Sequence, residues 1–319
     1  MRLARSAAEA AGFGPSALTI GNFDGVHIGH QYLFGLVREA AASIGAKAAV
    51  LTFDPHPACV VAPDRAPRLL TTIAQRCALM AELEIEQTLV LPFTSGIARL
   101  TPEEFVRDVL AAAMKARIVI VGENFRFAHK QAGDTGVLAA LGKRYGFETR
   151  IAPEVRCRGR VASSSAVRKF VDAGDTAMAW RFLNRPYSIA GEVVAGRGIG
   201  SRQTVPTLNL KTAAEVLPKA GVYVTRTRDL EDGRKWSSIT NVGYRPTFAE
   251  ERDPPLSIET FLLDPLAGDA PRQIEIEFLH FVREERRFEN AEALKAQILC
   301  DVRRAGAFFR HFGATQLKR

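Results

Sequence analysis

The sequence predicts an open parallel α/β sheet in its first half, an antiparallel sheet or barrel in its second, and one closing helix. Three observations carry this. From about residue 17 to 152, short apolar runs alternate with amphipathic helical stretches, the rhythm of parallel βαβ units. After residue 185 strand-like runs follow one another across Gly, Pro and Asp turns, as in antiparallel architectures. Finally, Asn290 stands where it caps "AEALKAQILCDVRRA", in which Ala291, Leu294 and Ile298 share one helical face. At 319 residues the chain suits two domains. The change of rhythm at "FLNRPYS" (182–188) sets them at 1–182 and 183–319.

The first-half strands are Ala17–Ile20, Ala48–Phe53, Thr88–Leu91, Ile118–Val121 and Phe147–Ala152. One intervening helix has a clear start: Thr101 as N-cap, Pro102 in the first turn, and Glu104 completing a capping box. The second-half strands lie in "YSIAGEVVAG", "GVYVTRTR", "KWSSITNVGY", "LSIETFLLD" and "QIEIEFLHFV".

Composition narrows the function. The chain is 47% hydrophobic and 24% charged, with mean hydropathy near zero, as in a globular protein with a sizeable core. No apolar run approaches the ~20 residues that cross a bilayer. The alanine-rich start lacks the apolar centre and cleavage site of a targeting peptide, so a cytoplasmic location is expected. Four scattered cysteines without a Cys-x-x-Cys pair argue against a zinc site or a disulfide framework. The formal charge of +8 suits an acidic partner. A phosphate-rich small substrate fits better than nucleic acid, because no strongly basic run carries interleaved aromatics.

Chemistry concentrates at "GNFDGVHIGH" (21–30), where a strand passes through glycines into a helix. Ligands in open parallel sheets collect at such turns, beyond the carboxyl ends of the strands. The glycines let backbone approach a ligand, and the helix start offers unpaired N–H groups to an anion. His27 and His30, if both sit on the first helical turn, project to one side as donors to phosphate oxygens. An isolated His-x-x-His pattern is ordinarily incidental, so its surroundings decide.

Those surroundings are "LTFDPHP" (51–57), "VGENFRFAHKQAGD" (121–134) and "ASSSAVRKF" (162–170). With the His-x-Gly-His turn, which resembles the signature of the nucleotidyltransferase superfamily, they resemble the bacterial bifunctional riboflavin kinase and FAD synthetase family. In the second half "GEVVAG", "PTLNL", "GVYVT", "NVGYRPTF", "IETFLLD" and "EALKAQI" resemble its kinase module. The resemblance implies a Rossmann-like nucleotidyltransferase domain followed by an antiparallel β-barrel kinase domain. It implies Mg2+ with ATP, and riboflavin and FMN as the other substrates.

By that resemblance His27 and His30 hold the ATP phosphates while FMN attacks the α-phosphorus. Ser164, Ser165 and Arg168 grip the phosphate tail. The residues agree: the serines stand at a helix start, where they also suit plain capping, and Arg168 adds a fork for phosphate oxygens. Asn22 and Asp24 join the ATP-binding set, and Asn124 is the flavin-binding candidate. His56, between Pro55 and Pro57, reads as a stiffener of its loop. In the second half Glu259 matches the catalytic glutamate that takes the riboflavin hydroxyl proton, and Thr207 and Asn209 match the residues serving Mg-ATP and its metal. Read without the family, Glu259 also suits an outward strand position.

The kinase loop departs from the family pattern Gly-Arg-x-x-Gly-Phe-Pro-Thr-Ala-Asn. In "GSRQTVPTLN" Ser201 replaces the arginine, Thr204 and Val205 the Gly-Phe, and Leu208 the alanine. The Leu-Tyr-Gly expected after the acidic turn is also absent. These departures keep one alternative open, an FMN adenylyltransferase whose second half only binds flavin. An aminoacyl-tRNA ligase also carries a His-x-Gly-His turn, but it needs a lysine-rich second signature that this chain lacks.

Overall fold

Alternation along strand β2 (Ser16–Ile20) shows how the first half is layered. Leu18 and Ile20 join an apolar cluster with Leu51, Leu89, Val119 and Val121. Ala17 joins a separate cluster with Val50, Ile118, Ile120 and Phe34. Successive side chains of a strand point to opposite faces, so the sheet carries an apolar layer on each. That is why these strands read as continuous apolar runs. The computed structural model describes residues 1–194, 207–244, 256–266, 268–286 and 288–316. It forms two units, Met1–Ala166 and Val167–Arg319.

In the first unit β1 (Arg2–Ala4), β2, β3 (Lys47–Asp54), β4 (Gln87–Pro92), β5 (Ala116–Gly122) and β6 (Glu148–Ala152) form one parallel sheet. Its order is β1-β4-β3-β2-β5-β6. The chain winds outward from β2 through β3 to β4, then returns to β5 on the other side of β2. The switch point therefore lies beside β2, the strand that feeds the histidine turn. All five expected strands are present. Thr101 and Glu104 form the expected box, with Thr101 N–H donating to Oε2 at 2.8 Å and Glu104 N–H to the threonine Oγ1 at 3.2 Å. The helix they open, α5 (Pro102–Glu104), runs on into a wide-wound stretch at Phe105–Ala113.

The alanine-rich start holds more structure than the sequence reading gave it. Arg2–Ala4 pairs with Gln87–Leu89 as the outer strand. After it Ser6 caps a short helix, α1 (Ala7–Ala10), that buries Ala10. A strand of three residues and a helix of four are too short for a periodicity signal.

In the second unit β9 (Tyr187–Val194), β10 (Leu208–Thr212), β11 (Gly221–Asp229), β12 (Lys235–Tyr244), β13 (Leu256–Leu262) and β14 (Gln273–Arg283) close an antiparallel barrel. Their order is β10-β13-β12-β11-β14-β9. The barrel resolves the choice between open sheet and closure. Strand β10 was hidden within "PTLNL", read as a loop motif. Leu208, Asn209 and Leu210 are all buried and Lys211 is exposed, so the strand carries no clean alternation to mark it.

Asn290 caps the closing helix α9 (Ala291–Gln316), its Oδ1 accepting from Ala293 N–H at 2.8 Å. The face that meets the barrel differs from the one the N-terminal half suggested. Val302, Ala305, Phe308 and Phe309 pack on Val222, Val224 and Ile239, while Leu294 is 38% exposed. Arg283 fixes the helix by donating from Nε and its guanidinium to Asp301 Oδ2 at 2.9 and 2.8 Å.

Candidate active sites

The histidine turn is a strained link held from behind. Phe23 (φ 49°), Gly25 (φ 77°) and Val26 (φ 43°) all lie in the left-handed region, costly for the two that are not glycine. A buried polar clamp holds them there. The Asp24 carboxylate, 2% exposed, accepts from Leu70 N–H at 3.0 and 3.1 Å, and from Thr71 N–H and O–H at 3.1 Å each. Thr71 Oγ1 in turn accepts from Gly25 N–H at 3.0 Å. Behind them the Arg76 guanidinium lies 3.7 Å from Asp24 and donates to the Thr71 carbonyl at 3.3 Å. The Arg76 side chain is buried on helix α4 (Ile73–Glu82), which Thr72 and Gln75 open with a reciprocal capping box.

Strain and clamp deliver the two imidazoles. His27 is the N-cap of helix α2 (Ile28–Ser43), one position before the first helical turn where the spacing suggested it, and His30 lies on that turn. The His27 Nδ1 accepts from Gly29 N–H at 3.2 Å, so the neutral ring carries its proton on Nε2 as a donor. The two rings stack with centroids 3.6 Å apart, and Phe23 meets His30 edge-on at 5.1 Å. A side chain at Gly29 would stand 3.1 Å from the His27 ring, so only glycine leaves that ring in place. Burial, then His27, then the Arg76 charge hold the His30 imidazole well below its ordinary value of 6.5. At neutral pH it is an uncharged ring whose buried Nδ1 has no protein partner.

Of the remaining predicted residues of this site, Ser164 contacts the turn directly. Ser164 Oγ donates to the Asp24 backbone carbonyl at 2.9 Å. Helix α7 (Ser164–Asp172) starts there, and Ser163 caps it by accepting from Ala166 N–H at 3.2 Å. Ser165 is exposed on its first turn, and Arg168 is one turn further along the same helix. The Asn22 amide lies 3.0 Å from His56 Nε2, and His56 Nδ1 accepts from Ala58 N–H to cap α3 (Pro57–Val61). His56 is thus a hinge between two loops of the site, more than a stiffener of its own. Asn124, exposed after β5, donates to Glu154 at 3.1 Å. The reading missed Thr71, Arg76 and Ser163. "TTIAQR", with its Thr-x-x-Gln start, was the available signal for the first two.

The second site is a row across three strands. In register, Asn209 on β10 faces Glu259 on β13, and Glu259 faces Asn241 on β12. Cross-strand partners share a face, and this one is the outside of the barrel. Glu259 is half-buried and accepts from Ser257 Oγ at 3.0 Å. Asn241 donates to Glu285 at 3.4 Å. Thr207 precedes Asn209 by two, the strand period that returns a side chain to the same face. Among the described residues no group of three His, Cys, Asp or Glu is placed to hold a metal. Hydroxyl, amide and carboxylate oxygens beside a phosphate chain are instead the donors that suit a hard cation carried with ATP. Ser201, Arg202, Thr204 and Val205 of the divergent loop lie outside the described residues.

A glycine-rich histidine turn at the switch point of a parallel sheet, with a carboxylate–amide row on a separate barrel, fits the class of two-module nucleotide-using transferases. Comparison with known proteins narrows the class. The FAD synthetase family matches residues 11–166 and the riboflavin kinase family residues 183–309. The bifunctional riboflavin kinase/FMN adenylyltransferase of Pseudomonas fluorescens is 36% identical over 290 residues, 91% of each chain. That of Escherichia coli K12 is 34% identical over 293 residues, 92% of each. A crystal structure from Streptococcus pneumoniae, described as a macrolide-efflux protein, superposes with a TM-score of 0.79 at 25% identity, covering 90% of this chain and 92% of that one. Its description stays with that protein; among the described residues here, no helix is long and apolar enough to cross a membrane.

This chain belongs to the family of bifunctional riboflavin kinase/FMN adenylyltransferases. It is an enzyme that phosphorylates riboflavin to FMN and adenylylates FMN to FAD with release of pyrophosphate, and both reactions consume ATP. The kinase match over 183–309 favours two activities over a second half that only binds flavin.

Proposed function

We propose that the histidine turn binds the ATP phosphates and that the barrel row carries out the kinase step. The stacked pair of His27 and His30 at a helix start carries the first assignment. The His27 Nε2–H and the uncharged His30 imidazole there donate hydrogen bonds to phosphate oxygens as negative charge moves onto the departing pyrophosphate. The FMN phosphate oxygen forms the new bond to the α-phosphorus as the bond to pyrophosphate breaks, so the turn has only to position and stabilise charge. Ser164, Ser165 and Arg168 hold the same phosphates from the start of α7, Asn22 borders them, and Asn124 meets the flavin. Asp24, engaged by the 70–71 backbone, serves ATP by holding the turn in shape.

In the kinase module Glu259 accepts the proton of the riboflavin 5′-hydroxyl as that oxygen bonds to the γ-phosphorus of ATP and the bond to the departing ADP breaks. Thr207 and Asn209 offer oxygens to Mg2+, which neutralises phosphate charge when bound. Glu259 facing both Asn209 and Asn241 supports this assignment. We place the division of activities at residues 182 and 183, and the protein in the cytoplasm.

The test is direct. Purified protein incubated with riboflavin, ATP and magnesium yields FMN and then FAD, resolved by chromatography. A folded protein that makes no FMN at saturating ATP overturns the kinase assignment. A fragment ending at Arg185 retains FAD formation from supplied FMN; a folded but inactive fragment overturns the division.

A further inference from the structure

The inside of the barrel carries an unusual load. Thr225 and Thr227 on β11, Ser238 and Thr240 on β12, and Thr260 on β13 are all fully buried. Their partners in register include Phe278 and Ile276 on β14, also fully buried, so these side chains face the barrel interior. The neighbouring Val224 and Ile239 face outward onto α9. The hydroxyls form one chain: Thr227 Oγ1 to Ser238 Oγ at 2.8 Å, Ser238 to Thr225 at 2.8 Å, Thr225 to Thr240 at 2.7 Å, and Thr240 to Thr260. Valine has nearly the shape of threonine, and apolar replacement of both hydroxyl partners is close to neutral for stability. A barrel core therefore has no need of hydroxyls merely to be filled.

What the chain supplies is direction. Strand β13 presents Ile258, Thr260 and Leu262 inward, and a slip by two residues keeps this inward set apolar or neutral while carrying Glu259 past Asn209 and Asn241. The apolar pattern opposes a slip by one residue, which turns every side chain to the other face, but a slip by two keeps each on its own face. The connection from Tyr244 to Leu256 is also longer than the two-residue hairpin turns that fix register by themselves. A slip by two, however, sets Ile258 or Leu262 against Thr240 and leaves buried hydroxyls without partners, which is costly.

We propose that the buried hydroxyl chain is the register lock of β13, and that Thr240 and Thr260 are positioning residues for Glu259. The inference rests on the assignment of Glu259 as the kinase base. Glu259 and Thr260 are consecutive, one outside the barrel and one inside, so the lock acts through a single stretch of backbone. The adenylyl-transfer module of the same chain draws on none of these residues.

The experiment uses the full chain with Thr260→Val, Thr240→Val, the double variant and Thr260→Ser. Removing both hydroxyls spares the barrel an unpaired partner, so the double variant melts within a few degrees of wild type. Its kcat for FMN formation falls about 10- to 100-fold, the scale of a misplaced catalytic group. KM for riboflavin changes by less than about twofold, and FAD formation from FMN is unchanged. Thr260→Ser keeps the hydroxyl and restores kcat to within about threefold of wild type. Cross-strand NOEs between Asn241 and Glu259 weaken in the double variant. A double variant with wild-type kcat and intact NOEs overturns the lock. Glu259→Gln is measured alongside: if it keeps wild-type FMN formation, the assignment of Glu259 fails, while the NOEs still judge the lock.

Discussion

The two sites are built on opposite principles. Around the histidine turn, the proposed function rests on a contiguous segment whose strained backbone is clamped by a buried carboxylate, a threonine and an arginine. Along the proposed barrel row, Asn209, Glu259 and Asn241 come from three different strands, and only pairing brings them together. The first site stores its geometry locally; the second stores it in register. A substitution at the turn is therefore expected to act through shape and charge nearby, whereas the barrel row is exposed to changes anywhere that shifts a strand.

The largest expected effect breaks the pair at its weaker-supported end. Glu259→Gln keeps the shape but removes the base, and FMN formation falls about 10²- to 10⁴-fold, the range for general-base catalysis. Adenylylation of supplied FMN survives. If both activities fall together, the two sites are not independent and the comparison fails. His30→Ala is the mirror experiment. FAD formation falls by at least about 100-fold, the scale for one well-placed charge-stabilising donor, while riboflavin phosphorylation persists. Wild-type FAD synthesis in that variant would remove the histidines from the mechanism.

Asp24→Ala tests whether the turn is held from behind. It leaves the buried Arg76 charge and two backbone N–H groups without their acceptor, so the first unit loses about 3–5 kcal/mol of stability. Denaturant melts monitor the loss, with FAD formation falling and the barrel unaffected. An unchanged melt would show that the strain of the turn needs no clamp.

The smallest expected effect concerns pH. His30 stays uncharged in the fold below its ordinary value of 6.5, because of burial first, then His27 and Arg76. Its unfolded counterpart takes up a proton as the pH falls through that value. The unfolded state then binds more protons, so stability is intact above about 6.5 and declines as the pH drops toward the folded value. His30→Gln flattens that decline. Melting curves between pH 7 and pH 5 for the two proteins make the comparison, and parallel slopes would sink it.

This contrast also sets what the sequence could disclose. All five expected strands of the parallel sheet appeared, the inner ones because buried βαβ strands are apolar runs, while the largely exposed edge strand β6 holds only Ile151 and Ala152 as apolar residues. The histidine turn was equally plain, since its residues are neighbours in sequence. The clamp behind it was not: Arg76 lies 52 positions from Asp24 by numbering, and a buried arginine looks like any other helical arginine until the fold closes over it. Asn241, though it opens the quoted "NVGYRPTF", drew no role for the same reason, being an ordinary strand polar residue until register sets it opposite Glu259. Strand β10 was missed because its five residues lay inside a motif read as a loop and show no clean alternation.

The outer strand of the parallel sheet has a further consequence for how the chain is made. Among the described residues Arg2–Ala4 pairs with Gln87–Leu89 alone, so these residues leave the ribosome long before the strand they pair with. Until β4 emerges, their backbone groups and the apolar Ala10 and Phe13 that follow stay open to solvent and to neighbouring chains. Synthesis slowed between α2 and β4 would lengthen that interval. The same segment that completes the sheet is then where a half-made protein is most open to association with its own copies.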